Sequence, residues 1–304
     1  MRFSTAITLT GPARSPRQML ADQEVDGHAS VHDAGSAATL GLAGAPIEGP
    51  THFSQFDPLA VALWGQAWFE RGCLSSHFRT MVVEGEQVQA SLSTNGPSAA
   101  RIEAHKVDGT PVLAGTASIG PDQPATELDV RRGAQTDPGE LFIIDRLEVG
   151  MRHDDGEIVS MTHDERNGAA YPFSLADKLA LITEPHPWYT PEGASSSPWG
   201  RAIVPMEMIS VLTNRSATRW PVRRPALGLF LDLEVRLVDG PVFVGQDYTV
   251  AREVVGLSQS PRTESFWTRT TLSDIGTGQE VAVVLLHSGV FKESYPGYPS
   301  GASH

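Results

Sequence analysis

The feature of this sequence that most constrains its fold is an internal repeat. In each half, a carboxylate stands two residues before a histidine, as Asp26-Gly27-His28 in the first half and Glu184-Pro185-His186 in the second. A glycine follows each histidine by seven residues, at Gly35 and Gly193, and an apolar, helix-like segment comes next. A chain with this pattern is expected to fold as two copies of one unit.

The segments that follow both helix-like stretches are typical of antiparallel strands. They are rich in Val, Leu, Thr and aromatic residues, alternate in part with polar residues, and are interrupted by Asp-Gly and Glu-Gly turns. Val107-Asp108-Gly109-Thr110 predicts one hairpin turn. Each half is therefore predicted to be α+β, with one long apolar helix packed on about four antiparallel strands. Since a lone sheet of this kind leaves an edge or an apolar face open, we expect the two copies to pair.

We place the boundary between the two repeats at 140/141, which gives an N-terminal repeat of residues 1–140 and a C-terminal repeat of residues 141–304. The stretch GPDQPATELDVRRGAQTDPGE, residues 120–140, is rich in Pro, Gly, Asp and Gln and is typical of a loop. The stretch ELFIIDRLEVGMR, residues 140–152, predicts a strand that opens the second repeat or closes the first.

Composition excludes several classes of protein. Of the 304 residues, 40% are hydrophobic, which is sufficient for a buried core, and the net charge of −13 argues against general nucleic-acid binding. Cys73 is the only cysteine, so an internal disulfide and a multi-cysteine metal site are excluded, and we interpret it as a buried structural thiol. Since no apolar run approaches the length of a membrane span and the start lacks the pattern of a signal peptide, we expect a soluble cytoplasmic protein without membrane association.

Three segments of the second half, TEPHPWYT, SPWGRAIVPMEM and EVRLVDGPVFVGQDYTV, resemble the MaoC-like hydratase/dehydratase family in its double hot-dog form. The resemblance extends from about Leu20 to Tyr295. It implies two tandem hot-dog repeats, in each of which a long helix is wrapped by an antiparallel sheet, so that one chain forms a pseudo-dimer. A further homodimer is left open.

The resemblance also implies a set of catalytic residues. In the family, a motif of the type Asp-x-Asn-Pro-x-His precedes the helix, its Asp and His activate water or remove a proton, and a backbone N–H at the helix start holds the thioester oxygen. The motif positions are occupied by Glu184, His186, Pro187 and Tyr189 in the second half, and by Asp26, His28, Ala29 and Val31, with His32 one residue further, in the first half. The candidate catalytic residues are therefore Glu184, His186, Tyr189, Asp26, His28 and His32.

From these residues we expect a lyase, an enoyl thioester hydratase or 3-hydroxyacyl thioester dehydratase, acting on an acyl group carried by coenzyme A or a carrier protein. The motif is incomplete in both halves, and Val204-Pro205 replaces the His-Gly that the family often has at the helix start. Proline has no N–H to donate. Two alternatives therefore stay open: a non-catalytic protein that binds an acyl or small apolar ligand, and a hot-dog pocket that performs acid–base chemistry on a non-thioester substrate.

Candidate substrate-binding residues lie near both helices. His52 stands where the first helix is expected to start, and it either lines a substrate tunnel or packs locally. The basic segment NRSATRWPVRRP can meet the phosphates of coenzyme A or the acidic face of an acyl carrier protein, since guanidinium groups bind phosphate well, or it can form surface ion pairs. The candidate substrate-binding residues are His52, Trp188, Trp199, Gly200, Arg219, Arg223 and Arg224.

Two other features have structural interpretations. Asp57 stands before Pro58, an arrangement typical of a helix N-cap followed by proline at the first helical position. His28 and His32 have the i,i+4 spacing of a helical zinc site, but the glycines around them disfavour a helix. We therefore predict no metal and no cofactor.

Overall fold

The computed structural model describes residues 6–25, 28–94, 96–215 and 220–299. Within these ranges the strands are β1 (Thr8–Thr10), β2 (Glu24–Val25), β3 (His28–Ala29), β4 (Gly72–Phe78), β5 (Val88–Thr94), β6 (Ala99–Lys106), β7 (Pro111–Ile119), β8 (Arg152–Val159), β9 (Gly228–Leu237), β10 (Tyr248–Gln259), β11 (Thr263–Asp274) and β12 (Glu280–Phe291). The α-helices are α1 (Ala34–Thr39), α2 (Asp57–Trp64), α3 (Ala67–Arg71), α4 (Glu127–Gly133), α5 (Leu175–Leu181) and α6 (Met206–Asn214). Short 3₁₀ segments lie at Gly49–Phe56, Pro187–Tyr189, Ala194–Ser196 and Lys292–Ser294.

Ten strands of the described residues form one antiparallel sheet in the order β1-β5-β6-β7-β4-β9-β12-β11-β10-β8. Its first five strands and its last five strands have the same connectivity. In each set, the strand that comes second along the chain lies at the inner edge, which is the edge next to the other set. The two inner-edge strands, β4 and β9, pair with one another and join the two halves. The predicted hairpin between β6 and β7 is present, with Gly109 at a φ of 90°. The predicted α+β architecture of two sheet-wrapped repeats is confirmed.

The repeat extends to single backbone contacts. Immediately before the helical segment of each half, Pro46 forms a bridge with Val83 and Ile203 forms the corresponding bridge with Phe243. The residue after each then donates its N–H to the carbonyl before its partner, at 2.7 Å in the first half and 2.8 Å in the second. Pro46 and Ile203 therefore occupy equivalent positions, and they supply a register by which the two halves can be compared.

The long helices predicted from the sequence are shorter in the structure. In the first half the helical path is divided into the 3₁₀ segment Gly49–Phe56, α2 and α3, and Gly65 interrupts it with a φ of 58°. In the second half α6 spans nine residues and begins directly after Pro205. Prolines near helix starts and a glycine with positive φ account for these limits, because neither continues an α-helix without loss of a hydrogen bond or of backbone entropy.

The segment between the repeats differs from both of its predictions. Residues 120–140 include α4, which is stabilised by a capping box between Thr126 and Asp129, rather than forming only a loop. Residues 140–151 form no strand, because the N–H groups of residues 142–144 all bind the carboxylate of Glu264 instead of a neighbouring strand, and β8 begins at Arg152. The predicted boundary at 140/141 falls between α4 and β8 and stays a prediction.

The core lies between the sheet and the helical segments. Its largest cluster includes Phe53, Trp68, Met208, Ile209 and Leu233, and a smaller cluster gathers around Ile143, Ile144 and Phe266. Cys73 is fully buried, as predicted, and burial raises the pKa of its thiol well above the usual range. None of the helices in the described ranges is both long enough and apolar enough to cross a lipid bilayer.

Candidate functional site

A large cavity lies between the start of the first helical segment and the inner face of the second half's sheet. Its volume is about 410 Å³, which is in the range of small-molecule sites. Most of its wall is apolar, with residues such as Ile47, Phe78, Val82, Trp220 and Leu286. The polar residues that line it are Gln23, Ser30, His32, Glu48, His52, Arg79, Thr80, Tyr171, Asn214, Arg224, Arg252, Thr268, Thr270 and Ser288.

His32 is oriented in this cavity by a bond to the backbone. Its Nδ1 lies 2.7 Å from the carbonyl oxygen of Pro46, and since a carbonyl can only accept, Nδ1 carries the hydrogen. The other ring nitrogen of the neutral imidazole, Nε2, is then an acceptor. Burial lowers the pKa of His32, so the neutral form is favoured at neutral pH. His32 therefore has the tautomer and the charge of a general base.

Glu48 and His52 lie in the interior of the same cavity. Both are buried, and among the described residues neither Glu48 Oε1 nor His52 Nδ1 has a hydrogen-bond partner. Burial raises the pKa of Glu48 to about 7, although the Lys178 ammonium opposes that shift. Burial, reinforced by Lys178, lowers the pKa of His52 to about 4. At neutral pH the cavity thus holds a neutral imidazole and a carboxyl group close to its midpoint of ionisation.

A buried ion pair supports this part of the cavity from the second half. Lys178 of α5 donates to the Thr51 hydroxyl at 2.9 Å, and its Nζ lies 3.4 Å from Glu207 Oε1. The other oxygen of Glu207 accepts from the Ser54 hydroxyl at 2.8 Å. These contacts link the 3₁₀ segment Gly49–Phe56 to α5 and α6, and they hold the Lys178 ammonium close enough to Glu48 to act on its pKa.

Two exposed arginines, Arg79 and Arg224, lie among the cavity-lining residues and mark its opening to solvent. Arg223, the neighbour of Arg224, instead forms a bidentate ion pair with Asp145, at 2.9 and 2.5 Å. Arg219 lies outside the described residues. The structure therefore separates the predicted arginines: Arg224 faces the cavity, whereas Arg223 makes the surface ion pair that was its alternative interpretation.

The motif residues of the second half line a different, smaller pocket of about 290 Å³. Glu184 is held there by Arg14 in a bidentate pair, with N–O distances of 2.5 and 2.9 Å. His186 Nδ1 accepts the N–H of Trp188 at 3.2 Å, and partial burial lowers the pKa of His186. Tyr189 is fully buried. Glu184, His186 and Tyr189 thus line one pocket, and their predicted catalytic roles stay predictions.

The same pocket contains a carboxylate whose predicted role is wrong. Asp57 is the first residue of α2, and Phe56 occupies the N-cap position instead. Asp57 is buried and accepts from Trp68 Nε1 at 2.9 Å and from the Tyr189 hydroxyl at 2.8 Å. Burial raises the pKa of Asp57 to about 7, and burial together with the Asp57 charge raises the pKa of Tyr189 well above its usual value. Asp57 therefore connects α2 to the second motif rather than capping a helix.

The two pockets are related by the repeat. Counted from the equivalent residues Pro46 and Ile203, His32 and Tyr189 each lie 14 residues upstream, and Asp57 and Asn214 each lie 11 residues downstream. Tyr189 meets Asp57 in the small pocket, and their counterparts His32 and Asn214 both line the large cavity. Each pocket thus combines a residue that precedes the helix of one half with a residue from the helix of the other.

The remaining predicted residues lie in several places. Trp188 and Trp199 stack edge to face at 5.4 Å, and Trp199 contacts Phe243, outside the large cavity. Gly200 has a φ of 64° in the adjoining turn. Asp26 and the side chain of His28 lie outside the described residues.

Sequence reasoning missed Glu48 and Asn214 as cavity residues. The one available signal for Glu48 was its position beside His52 in a segment that is otherwise apolar or small. Asn214 offered none, because only the pairing of the two halves brings the end of α6 to the large cavity.

No protein-family model matches the sequence, and no curated protein matches it. Solved structures do match. One is a putative MaoC domain protein dehydratase from Chloroflexus aurantiacus J-10-fl, at 13% identity and a TM-score of 0.57, with 96% of this chain and 95% of that chain covered. Another is a conserved hypothetical protein from Mycobacterium tuberculosis described as having a double hotdog fold, at 15% identity and a TM-score of 0.55, with 95% and 97% covered. At these identities the likeness establishes the fold and not the activity: this chain has the double hot-dog fold, as its resemblance to MaoC-like proteins predicted.

Proposed function

We propose that the protein is a hydratase or dehydratase of acyl thioesters and that the large cavity is its active site. The observation that carries this proposal is His32, whose tautomer is set by the Pro46 carbonyl at the wall of a mostly apolar cavity that also holds Glu48. A neutral imidazole and a carboxyl group with a pKa of about 7 form the acid–base pair that this reaction needs at neutral pH.

In the dehydration direction, His32 Nε2 removes a proton from the α-carbon, which the thioester carbonyl acidifies. The electron pair of the C–H bond forms the α,β double bond, and the C–O bond at the β-carbon breaks. Glu48 delivers its proton to the departing hydroxyl, which leaves as water. Hydration is the same sequence reversed, so that ionised Glu48 removes a proton from water and protonated His32 supplies one to the α-carbon.

The cavity mouth supports a thioester carried by a phosphate-bearing group. Arg79 and Arg224 are exposed at the opening, where they can meet the phosphates of coenzyme A or of the prosthetic group of a carrier protein. The chain as a whole has a net charge of −13, which disfavours the binding of such anions elsewhere on its surface. A cytoplasmic location and a homodimer remain predictions, as do the catalytic roles of Glu184, His186 and Tyr189.

A protein that binds an acyl ligand without turnover is the second candidate. It is favoured by the second motif, in which Glu184 is engaged by Arg14 and a tyrosine bonded to Asp57 occupies the position of the family's histidine. That repeat therefore has no imidazole at the position of the family's histidine. The second candidate requires that the first repeat has lost turnover as well.

The test is a hydration assay with trans-2-enoyl thioesters of increasing chain length, both as coenzyme A esters and as N-acetylcysteamine esters, followed by the loss of the conjugated thioester absorbance. We expect turnover by the natural protein and loss of about 10²-fold or more in His32→Ala, the usual contribution of one acid–base group. His105→Ala is the matched control, because His105 lies on β6 away from both pockets. Tight acyl-thioester binding without turnover would establish the second candidate instead.

A further inference from the structure

The inner face of β11 departs from its apolar pattern where it meets the large cavity. Alternate residues of a strand share one face, so Phe266, Thr268, Thr270 and Leu272 form a row. Leu272 packs in the main core cluster and Phe266 in the smaller one. The two threonines between them are buried and line the cavity. A buried sheet face that changes from apolar to polar over the length of a cavity is expected at a functional site rather than in a packed core.

Neighbouring strands extend this polar wall. Arg252 of β10 pairs directly with Thr270, and it also lines the cavity. Its guanidinium donates to the Thr213 carbonyl at 2.8 Å and forms an ion pair with Glu157, so its charge is compensated within the protein. Ser288 of β12 adds a further hydroxyl to the cavity lining. The wall therefore offers hydrogen-bonding groups but no uncompensated positive charge that would favour an anionic ligand.

Two buried side chains among the cavity-lining residues, Glu48 and His52, each have an atom without a hydrogen-bond partner in the described part of the chain, Glu48 Oε1 and His52 Nδ1. Buried polar atoms without partners are unfavourable, and native proteins normally satisfy them with water or a ligand. A purely aliphatic acyl chain would leave the hydroxyls of Thr268 and Thr270 and the Nδ1 atom of His52 without a hydrogen-bond partner from the ligand. The carboxyl of Glu48 disfavours an anionic ligand, because two carboxylates at this depth would repel one another.

We propose that the acyl chain of the substrate carries a further hydroxyl group beyond its β-carbon, which Thr268 and Thr270 recognise together with His52. This inference rests on the proposed function, since it names the class of acyl thioester that the same cavity accepts. A hydroxyl both donates and accepts a hydrogen bond, so one group can bond to an imidazole nitrogen and to a threonine hydroxyl. A site that bonds a substrate hydroxyl disfavours the analogue that lacks it, because its buried polar groups then lose their partners.

The experiment measures binding of saturated thioesters, which cannot be hydrated, by isothermal titration calorimetry. Hexanoyl-CoA is compared with its analogues that carry a hydroxyl on the fourth, fifth or sixth carbon. We expect at least one hydroxylated analogue to bind about tenfold more tightly than hexanoyl-CoA, which corresponds to about 1.4 kcal/mol. In Thr268→Val/Thr270→Val that preference should fall to about onefold, because both hydroxyls are lost while strand-forming side chains of similar shape remain.

Thr271→Val is the matched control, since Thr271 lies on the same strand but faces away from the cavity, and it should keep the tenfold preference. Thermal unfolding of each variant verifies that it is folded. If hexanoyl-CoA binds as tightly as every hydroxylated analogue, the inference is overturned while the proposed function stands. If no acyl-CoA binds to the folded protein, the proposed function fails together with the inference.

Discussion

The Tyr189 hydroxyl donates to Asp57 Oδ2 at 2.8 Å, and this bond connects the segment before one half's helix to the first residue of the other half's helix. Both side chains are buried, and Trp68 Nε1 satisfies the second carboxylate oxygen at 2.9 Å. In the related position of the first half, His32 faces the large cavity instead. The smaller pocket of the pseudo-dimer thus contains a buried bond between a tyrosine and a carboxyl group, while the larger one has an imidazole at the related position.

Removing this bond should destabilise the protein. Tyr189→Phe leaves one buried oxygen of Asp57 without its donor, and a hydrogen bond to such a group contributes about 1.5–3 kcal/mol. We expect a loss of that order in the free energy of unfolding, measured by urea denaturation. A double-mutant cycle with Asp57→Asn isolates the pair. Additive losses in the cycle would show that the two side chains do not interact in solution.

The stability of the protein should also depend on pH through Asp57. Its pKa is raised by burial from 3.8 to about 7, so between these values the folded state binds the proton more tightly than the unfolded state. The free energy of unfolding should therefore fall as pH rises through this window, and the stability lost is not regained above it. Glu48 acts in the same direction.

The substitution Asp57→Asn distinguishes the contribution of Asp57 to this pH dependence from that of Glu48. This substitution should lower the free energy of unfolding more at pH 5 than at pH 8. The reason is that the natural protein loses the stabilising contribution of its protonated Asp57 carboxyl at the higher pH. Thermal unfolding at the two pH values measures the difference. If Asp57→Asn destabilised the protein equally at the two pH values, Asp57 would not titrate between them.

Glu48 should set the pH dependence of catalysis. With a pKa of about 7, Glu48 carries the catalytic proton only below that value, so dehydration should slow as pH rises above about 7. Hydration needs the same proton on His32, so it should slow over the same range. Glu48→Gln should remove that dependence and lower kcat by about 10²-fold or more. A loss of rate above about pH 7 in both directions is the diagnostic result. A limb that persists in Glu48→Gln would assign the titration to another group.

The arginines at the cavity mouth should control affinity for coenzyme A and its salt dependence. Arg79→Ala/Arg224→Ala removes two charges from the opening, so we expect the Kd for coenzyme A to rise about tenfold at low ionic strength and by less at high ionic strength. Arg223→Ala is the control, because Arg223 is paired with Asp145 and does not line the cavity. Calorimetric titrations at two salt concentrations measure the effect. An equal loss in Arg223→Ala would show that the effect is one of net charge alone.

Much of the architecture was predictable because it depends on local patterns. The turn at Gly109 and the alternation of polar and apolar residues in β5–β7 and β10–β12 are properties of short segments. The sequence itself also shows that the pattern of one helix followed by several strands occurs twice. The strand predicted over residues 140–152 failed for the opposite reason. Its apolar residues resemble a strand, but Glu264, more than a hundred residues away, takes up the N–H groups that a sheet would need.

The same distinction between local patterns and distant contacts applies to the candidate site. The sequence by itself determined two repeated α+β units and a buried Cys73, because both depend on apolar patterns within short segments. That Glu184, His186 and Tyr189 line one pocket depends on loop geometry, which the structure supplied. Only the tertiary structure decided that Asp57 meets Tyr189 rather than capping α2, and that Asn214 and Thr270 line the cavity with His32 and Glu48. The physical reason is that burial and pairing across the two halves determine which polar groups lose water, and such groups lie far apart in the sequence.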